Sequence, residues 1–179
     1  MQVDDVIHFW FSEVKSSQWW KKDLQFDQEV GRRFINHHAA ATKGELDSWR
    51  NIPEGRLAEI IILDQFSRNM FRDQPKAFAF DGMALLLAQE AVRFGADKAL
   101  NFSQKSFLYM PFMHSESLKM HEVAVELFSQ PGLEFNLDFE YKHKKIIERF
   151  GRYPHRNKIL GRLSTSEEID FLNEPGSSF

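Results

Sequence analysis

The stretch Gly55-Arg-Leu-Ala-Glu-Ile-Ile-Ile-Leu-Asp-Gln-Phe-Ser-Arg-Asn69 decides the fold class. Leu57, Ile60, Ile61, Asp64, Arg68 and Phe71 recur at the i, i+3, i+4, i+7 spacing of a helix with one core-facing stripe. Asp64 and Arg68 sit inside that stripe. Four residues turn a helix by about 400°, which leaves their side chains about 40° apart on one face. An isolated charge there would cost several kcal/mol, so the pair is expected to satisfy itself or a third group. It is either a structural ion pair locking two helices together or a pair facing a ligand.

The same punctuation continues outward in both directions. Toward the N-terminus, Asp4 is placed to cap a first helix through Phe11, and Asp23 a second whose stripe is Phe26, Val30, Phe34 and His37. Gly44 and Asn51-Ile52-Pro53 interrupt. Toward the C-terminus, Asp73-Gln74-Pro75 restarts the chain and a long helix runs to Phe94, with Gly95 as its stop. Ser103 is placed to cap the next, which Pro111 should kink or restart before it reaches Ser129. Pro131-Gly132 is a turn, Phe135 to Phe150 is helical up to Gly151, and Arg152 to Leu163 reads as irregular. Ser164 and Thr165, each three residues before Glu167 or Glu168, offer overlapping capping boxes for a last short helix. No alternating run rich in β-branched residues occurs, so strands are not expected. The expectation is all-α, six to eight antiparallel helices in an irregular bundle or superhelix, with residues 1–179 as a single domain. No clean internal repeat of about 34 residues is visible.

Composition bounds the function. The chain has no cysteine, which excludes a disulfide framework, thiolate metal sites and cysteine nucleophiles, and fits a reducing, cytoplasmic setting. Acids at Asp4 and Asp5 precede Ile7, Phe9, Trp10 and Phe11, so no secretory signal is expected. The longest apolar run, Met83 to Ala88, is far short of a membrane span. Eighteen phenylalanines and four tryptophans must largely fill a core, since each ring buries on the order of 150–250 Å². From Lys142 to Arg162 there are eight Lys/Arg against one acid, Glu148; that segment carries +7 and leaves −10 on the rest of a chain whose total is −3. A basic stretch on an acidic body is either an anion site or a set of arginines paired with acids from elsewhere.

Two further helices turn polar groups inward. His114, Leu118, His121, Val125 and Phe128 form one stripe, with Glu116 pointing elsewhere, and a kink at Pro111 would leave carbonyls open to a donor. Phe139, His143, Ile146, Ile147 and Phe150 form another. Beyond it, Arg149-Phe-Gly-Arg152-Tyr-Pro-His155-Arg156-Asn157 and Gly161-Arg162 make the densest donor cluster in the chain, with arginine forks suited to carboxylates and phosphates. Such residues also commonly hydrogen-bond within a core or cap helix ends. Random scatter would place most of them outward. The inference is a polar centre of Asp64, Arg68, His114 and His143, closed by Arg152, His155, Arg156 and Arg162, with Asn69, Glu116, Arg149 and Asn157 at its margin.

A centre of this kind suits a small anionic ligand, a carboxylate or phosphate, or an acidic peptide end. A hydrolase is the alternative, with Asp64, His114, His143 and His155 as catalytic candidates. A third reading is an interaction scaffold without catalysis. The acidic remainder argues against nucleic acid. No Gly-rich phosphate loop, Gly-x-Ser-x-Gly elbow or His-Glu-x-x-His spacing is present, so no metal and no cofactor are expected.

Five strings carry a family likeness: Leu63-Asp-Gln-Phe-Ser-Arg-Asn69, Phe107-Leu-Tyr-Met-Pro-Phe-Met-His-Ser-Glu116, Arg149-Phe-Gly-Arg-Tyr-Pro-His-Arg-Asn157, Leu160-Gly-Arg162, and Ser164-Thr-x-Glu-Glu168. By these the chain resembles the bacterial domain-of-unknown-function family 924, from about Asp4 to Phe179. The resemblance implies a tetratricopeptide-like helical fold and no particular activity. Ser67 stands where the resemblance implies proline, which should relax a kink. His121 stands where it implies glutamine, which argues against His121 as a site residue.

Overall fold

Helix ends fall where short polar side chains and glycines put them. Asp23 accepts hydrogen bonds from the backbone N–H groups of Gln25 and Phe26 at 2.9 and 3.1 Å and starts helix α2, Leu24–Ala41. Its expected stripe of Phe26, Val30, Phe34 and His37 is buried. The computed structural model describes residues 1–178, and among them all regular structure is helical. No helix of these residues is long and apolar enough to cross a membrane.

The chain forms two compact units, Met1–Arg72 with Lys76–Pro111, and Asp73–Pro75 with the chain from Phe112 onward. The first contains α1 (Val3–His8) and a π-helical turn at Phe9–Glu13, then α2. It continues with α3 (Pro53–Ile61), a second π turn at Ile62–Phe66, α4 (Ser67–Met70) and α5 (Asp81–Arg93). The helix α6, Phe102–Met113, crosses the unit boundary at Pro111. α2 packs on α4 and the second π turn, and α3 packs on α1 and α5. Their shared core is aromatic: Phe34 lies 4.9 Å from Phe9 and 4.7 Å from Phe66, and Trp10 meets Phe107 edge-on at 5.5 Å. Gly55 enters α3 so close to the preceding turn that a Cβ would lie 2.0 Å from the carbonyl oxygen of Trp49.

The second unit contains α7 (Leu118–Phe128), α8 (Glu134–Phe150), a 3-10 turn at Pro154–Arg156, α9 (Asn157–Leu160) and α10 (Ser166–Leu172). α7 packs along α8. Thr165 caps α10 with Glu168 answering it, one of the two boxes read from the sequence. Gly95 and Gly151, at φ of 70° and 68°, take the left-handed conformation expected of helix stops.

Several ends differ from the sequence reading. Asn101, rather than Ser103, caps α6: its side-chain oxygen accepts from Gln104 N–H at 3.0 Å while Gln104 answers at 3.1 Å. Asp5, rather than Asp4, closes the first turn of α1 by accepting from Gln2 N–H at 2.8 Å. Pro75–Ala77 forms a 3-10 turn, and α5 begins only at Asp81. Arg152–Leu163 is not wholly irregular, since it holds α9. Between residues 103 and 129 the chain restarts, one of the two outcomes read from Pro111. Pro111 lacks a donor for the ladder, and the carbonyls of Met113 and Ser115 are taken by side chains, so the chain turns and restarts at Leu118.

Candidate functional site

The second unit is organised around one phenol. Gly151 ends α8 and reverses the chain, so that Tyr153 enters the interior with no exposed surface. Its backbone N–H donates to Glu116 Oε1 at 2.7 Å, and its Oη donates to the Met113 carbonyl at 2.5 Å. Bases surround its ring. His155 lies 5.5 Å from it, His143 meets it edge-on at 5.7 Å, and His121 at 6.3 Å. The Arg156 guanidinium stands 4.5 Å from the ring centroid, a cation over a π face.

Ionisation follows from this crowding. His143 Nδ1 lies 2.8 Å from the Phe139 carbonyl and donates to it, which leaves Nε2 as the lone-pair nitrogen of a neutral ring. Burial lowers the His143 pKa to about 3; the carbonyl works the other way, and the neighbouring imidazoles of His114, His121 and His155 act in the same direction as burial. His121 Nδ1 lies 2.6 Å from Glu140 Oε1 and His121 Nε2 lies 2.9 Å from the Ser115 carbonyl, with both side chains shut off from solvent. Burial raises the Glu140 pKa above the ordinary carboxyl value. At Glu116 burial also works upward, but two Arg162 bonds at 2.6 and 2.9 Å and the Tyr153 N–H outweigh it, and the net shift is downward.

An ionic frame encloses these groups. Arg152 forks onto Glu168 at 2.6 and 2.8 Å and also donates to the Leu163 carbonyl. Arg152, with the Thr165 N–H, holds the Glu168 pKa at about 2. Arg162 Nε donates to Asn157 Oδ1 at 2.9 Å, and Asn157 in turn donates to Glu168 at 3.3 Å. Arg149 pairs with Glu167 at the exposed edge.

The first unit has its own network, built on the second π turn. Asp64, fully buried, accepts from Gln65 Nε2 at 2.6 Å and lies 3.1 Å from Arg68, which also donates to the Asp64 backbone carbonyl. Arg68 forks onto Asp81 at 2.9 and 3.0 Å. Asn69 and Arg72 both donate to the buried carboxylate of Asp27. Among the described residues no three His, Asp or Glu side chains are arranged to hold a metal ion.

A family model described as a bacterial protein of unknown function (DUF924) matches residues 6–176. The chain belongs to that family. This DUF924 chain is also similar to a solved structure of a protein of unknown function from Agrobacterium tumefaciens, at 39% identity and a TM-score of 0.92 over 97% of each chain. No curated protein matches it.

Of the site residues read from the DUF924 sequence, Asp64, Arg68 and Asn69 belong to the first unit and the others to the second. His143, His155 and Arg156 gather at the Tyr153 ring, and His114, in the turn after α6, acts electrostatically on His143. Glu116, Arg152, Asn157 and Arg162 form the ionic frame, and Arg149 lies outside it. Sequence reasoning missed Glu140, Tyr153 and Asp81. Glu140 had a signal, since it lies one turn before His143 on the inward face of α8. Asp81 had none, because its partner is thirteen residues away. The two departures from the family pattern both find partners. His38 Nε2 and the Ser67 hydroxyl are 2.9 Å apart, a contact that proline could not make. His121 is fully buried between Glu140 and the Ser115 carbonyl.

Proposed function

We propose that this protein binds a small anion, a carboxylate or phosphate carried on a small molecule or an acidic peptide end, among His114, His143, His155 and Arg156. The observation that carries the reading is the gathering of His143, His155 and Arg156 on the buried ring of Tyr153, with His114 acting electrostatically on His143. Imidazole and guanidinium donors directed at one place are the groups that bind carboxylates and phosphates. Arg156 supplies a forked donor and His155 a single one, while neutral His143, with His114 acting on it, orients the ligand. The pairs Glu116–Arg162 and Glu168–Arg152 hold the surrounding turns in register. A cytoplasmic location belongs to the same reading and rests on the absence of cysteine.

The test is thermal stabilisation of the purified protein by inorganic phosphate and by citrate, against chloride at equal ionic strength. Wild type is expected to gain stability in proportion to occupancy, and Arg156→Gln and His155→Ala to lose that gain. Equal gains in wild type and both variants would remove this site. Turnover of an ester or phosphoester, with a histidine-shaped pH profile, would move the reading to the hydrolase class. A protein partner without any anion effect would move it to a scaffold.

A further inference from the structure

The turn that carries His114 and Glu116 is fixed by side chains from elsewhere in its unit. The Met113 carbonyl receives the Tyr153 phenol at 2.5 Å, and the Ser115 carbonyl faces His121 Nε2 at 2.9 Å. A carbonyl oxygen only accepts, so His121 Nε2 must carry a hydrogen. The Tyr153 phenol, 3.3 Å from the same nitrogen, has already given its proton to Met113 and supplies none. His121 Nδ1 is therefore left either as a lone pair, in a neutral ring, or as a second N–H, in an imidazolium.

Glu140 decides between these. Its Oε1 is 2.6 Å from Nδ1, and neither side chain has any exposed surface. Its Oε2 is buried and has no hydrogen-bond partner. An ionised carboxylate would carry half its charge on that bare oxygen, away from water, whereas a neutral acid leaves only a carbonyl-like oxygen there. Among the described residues Lys144 also acts on Glu140, and its ammonium is paired with Glu148.

We propose that Glu140 is a neutral carboxylic acid that donates its proton to His121 Nδ1, fixes the Nε2–H tautomer, and thereby positions the His114–Ser117 turn of the anion site. Burial acts in the same direction, raising the Glu140 pKa. The chain Glu140 O–H to His121 Nδ1, His121 Nε2–H to Ser115 carbonyl, is thus a net-neutral hydrogen-bonded line. Glu140 touches no ligand, so it is a positioning residue. Its importance for binding rests on the anion reading above, but its protonation and its hold on the turn do not.

The experiment is nitrogen-15 NMR of the full chain labelled at histidine and backbone amides, combined with phosphate titration. In wild type near neutral pH, His121 is expected to show a protonated Nε2 and an unprotonated Nδ1. Two protonated nitrogens would mean an ion pair and would overturn the proposal without any variant needing to fold. Glu140→Gln keeps a donor to Nδ1, and should preserve the tautomer, the amide resonances of residues 114–117 and the phosphate affinity. Glu140→Ala should shift those amides and lower phosphate affinity several-fold. Unmoved amides in Glu140→Ala would refute the positioning role. Absence of phosphate binding in wild type, with the tautomer and amide results as expected, would refute the anion reading alone.

Discussion

Tyr153 and Met113, forty residues apart in the chain, are joined by a hydrogen bond of 2.5 Å from phenol to backbone carbonyl inside the second unit. The bond caps the last turn of α6 with a ring from beyond α8. Tyr153→Phe keeps the ring against His143 and His155 but strands the carbonyl. The expected loss is about 1–3 kcal/mol. Equilibrium unfolding in urea should show a lower midpoint with an unchanged slope.

Glu59 has no exposed surface and takes two bonds of 2.7 Å from Arg50, which reaches it from the turn before α3. Removing the arginine leaves a buried carboxylate uncompensated. Arg50→Ala is expected to cost about 3 kcal/mol, because breaking one side of a buried pair strands the other. Replacing both partners with apolar residues should recover much of that loss, and thermal unfolding of the three variants measures it.

Gly55 and Gly31 make a paired test of backbone space. A Cβ at Gly55 would press on the Trp49 carbonyl, so Gly55→Ala should destabilise by about 1–3 kcal/mol and loosen the turn at residues 47–51 toward proteolysis. Gly31 lies within α2 with nothing close to its missing Cβ, so Gly31→Ala should stabilise by about 0.5–1 kcal/mol. Opposite signs for the two substitutions are the expected outcome.

Acid should weaken the fold well above the range where carboxylates titrate. Burial lowers His143 to about 3 and His38 to about 4, against an ordinary 6.5. Between those values the unfolded chain binds protons that the folded chain refuses, so stability falls as pH falls below 6.5. Each histidine contributes a slope of about 1.4 kcal/mol per pH unit in its window. Glu168, held at about 2 against 4.5, adds a second loss as pH drops from 4.5 toward 2. The thermal midpoint should decline from pH 6.5 downward, and His38→Gln should make the decline shallower. A flat profile between pH 6.5 and 5 would contradict these assignments.

The stripe read from Gly55–Asn69 is fully buried at Leu57, Ile60, Ile61 and Asp64, but the whole run from Leu57 to Ser67 is buried with it, so spacing marked only part of what packing encloses. Glu59 and Gln65, off that stripe, are buried as well. Glu59 is enclosed because Arg50 comes to meet it, and Gln65 lies in a π turn whose extra residue shifts the register of facing. Neither cause has a trace in local spacing. In the second unit the inward facing of His143 is readable from spacing, whereas the pairing of Glu140 with His121 is not.

Helical class, most stops and the inward turn of Asp64, Arg68 and His143 were thus set by the sequence itself, because capping and periodicity act over four residues or fewer. Tertiary structure alone chose the partners: Arg68 with Asp81, Glu116 with Arg162, His121 with Glu140. Pairing depends on distances between helices, and a facing angle along one helix contains no such distance.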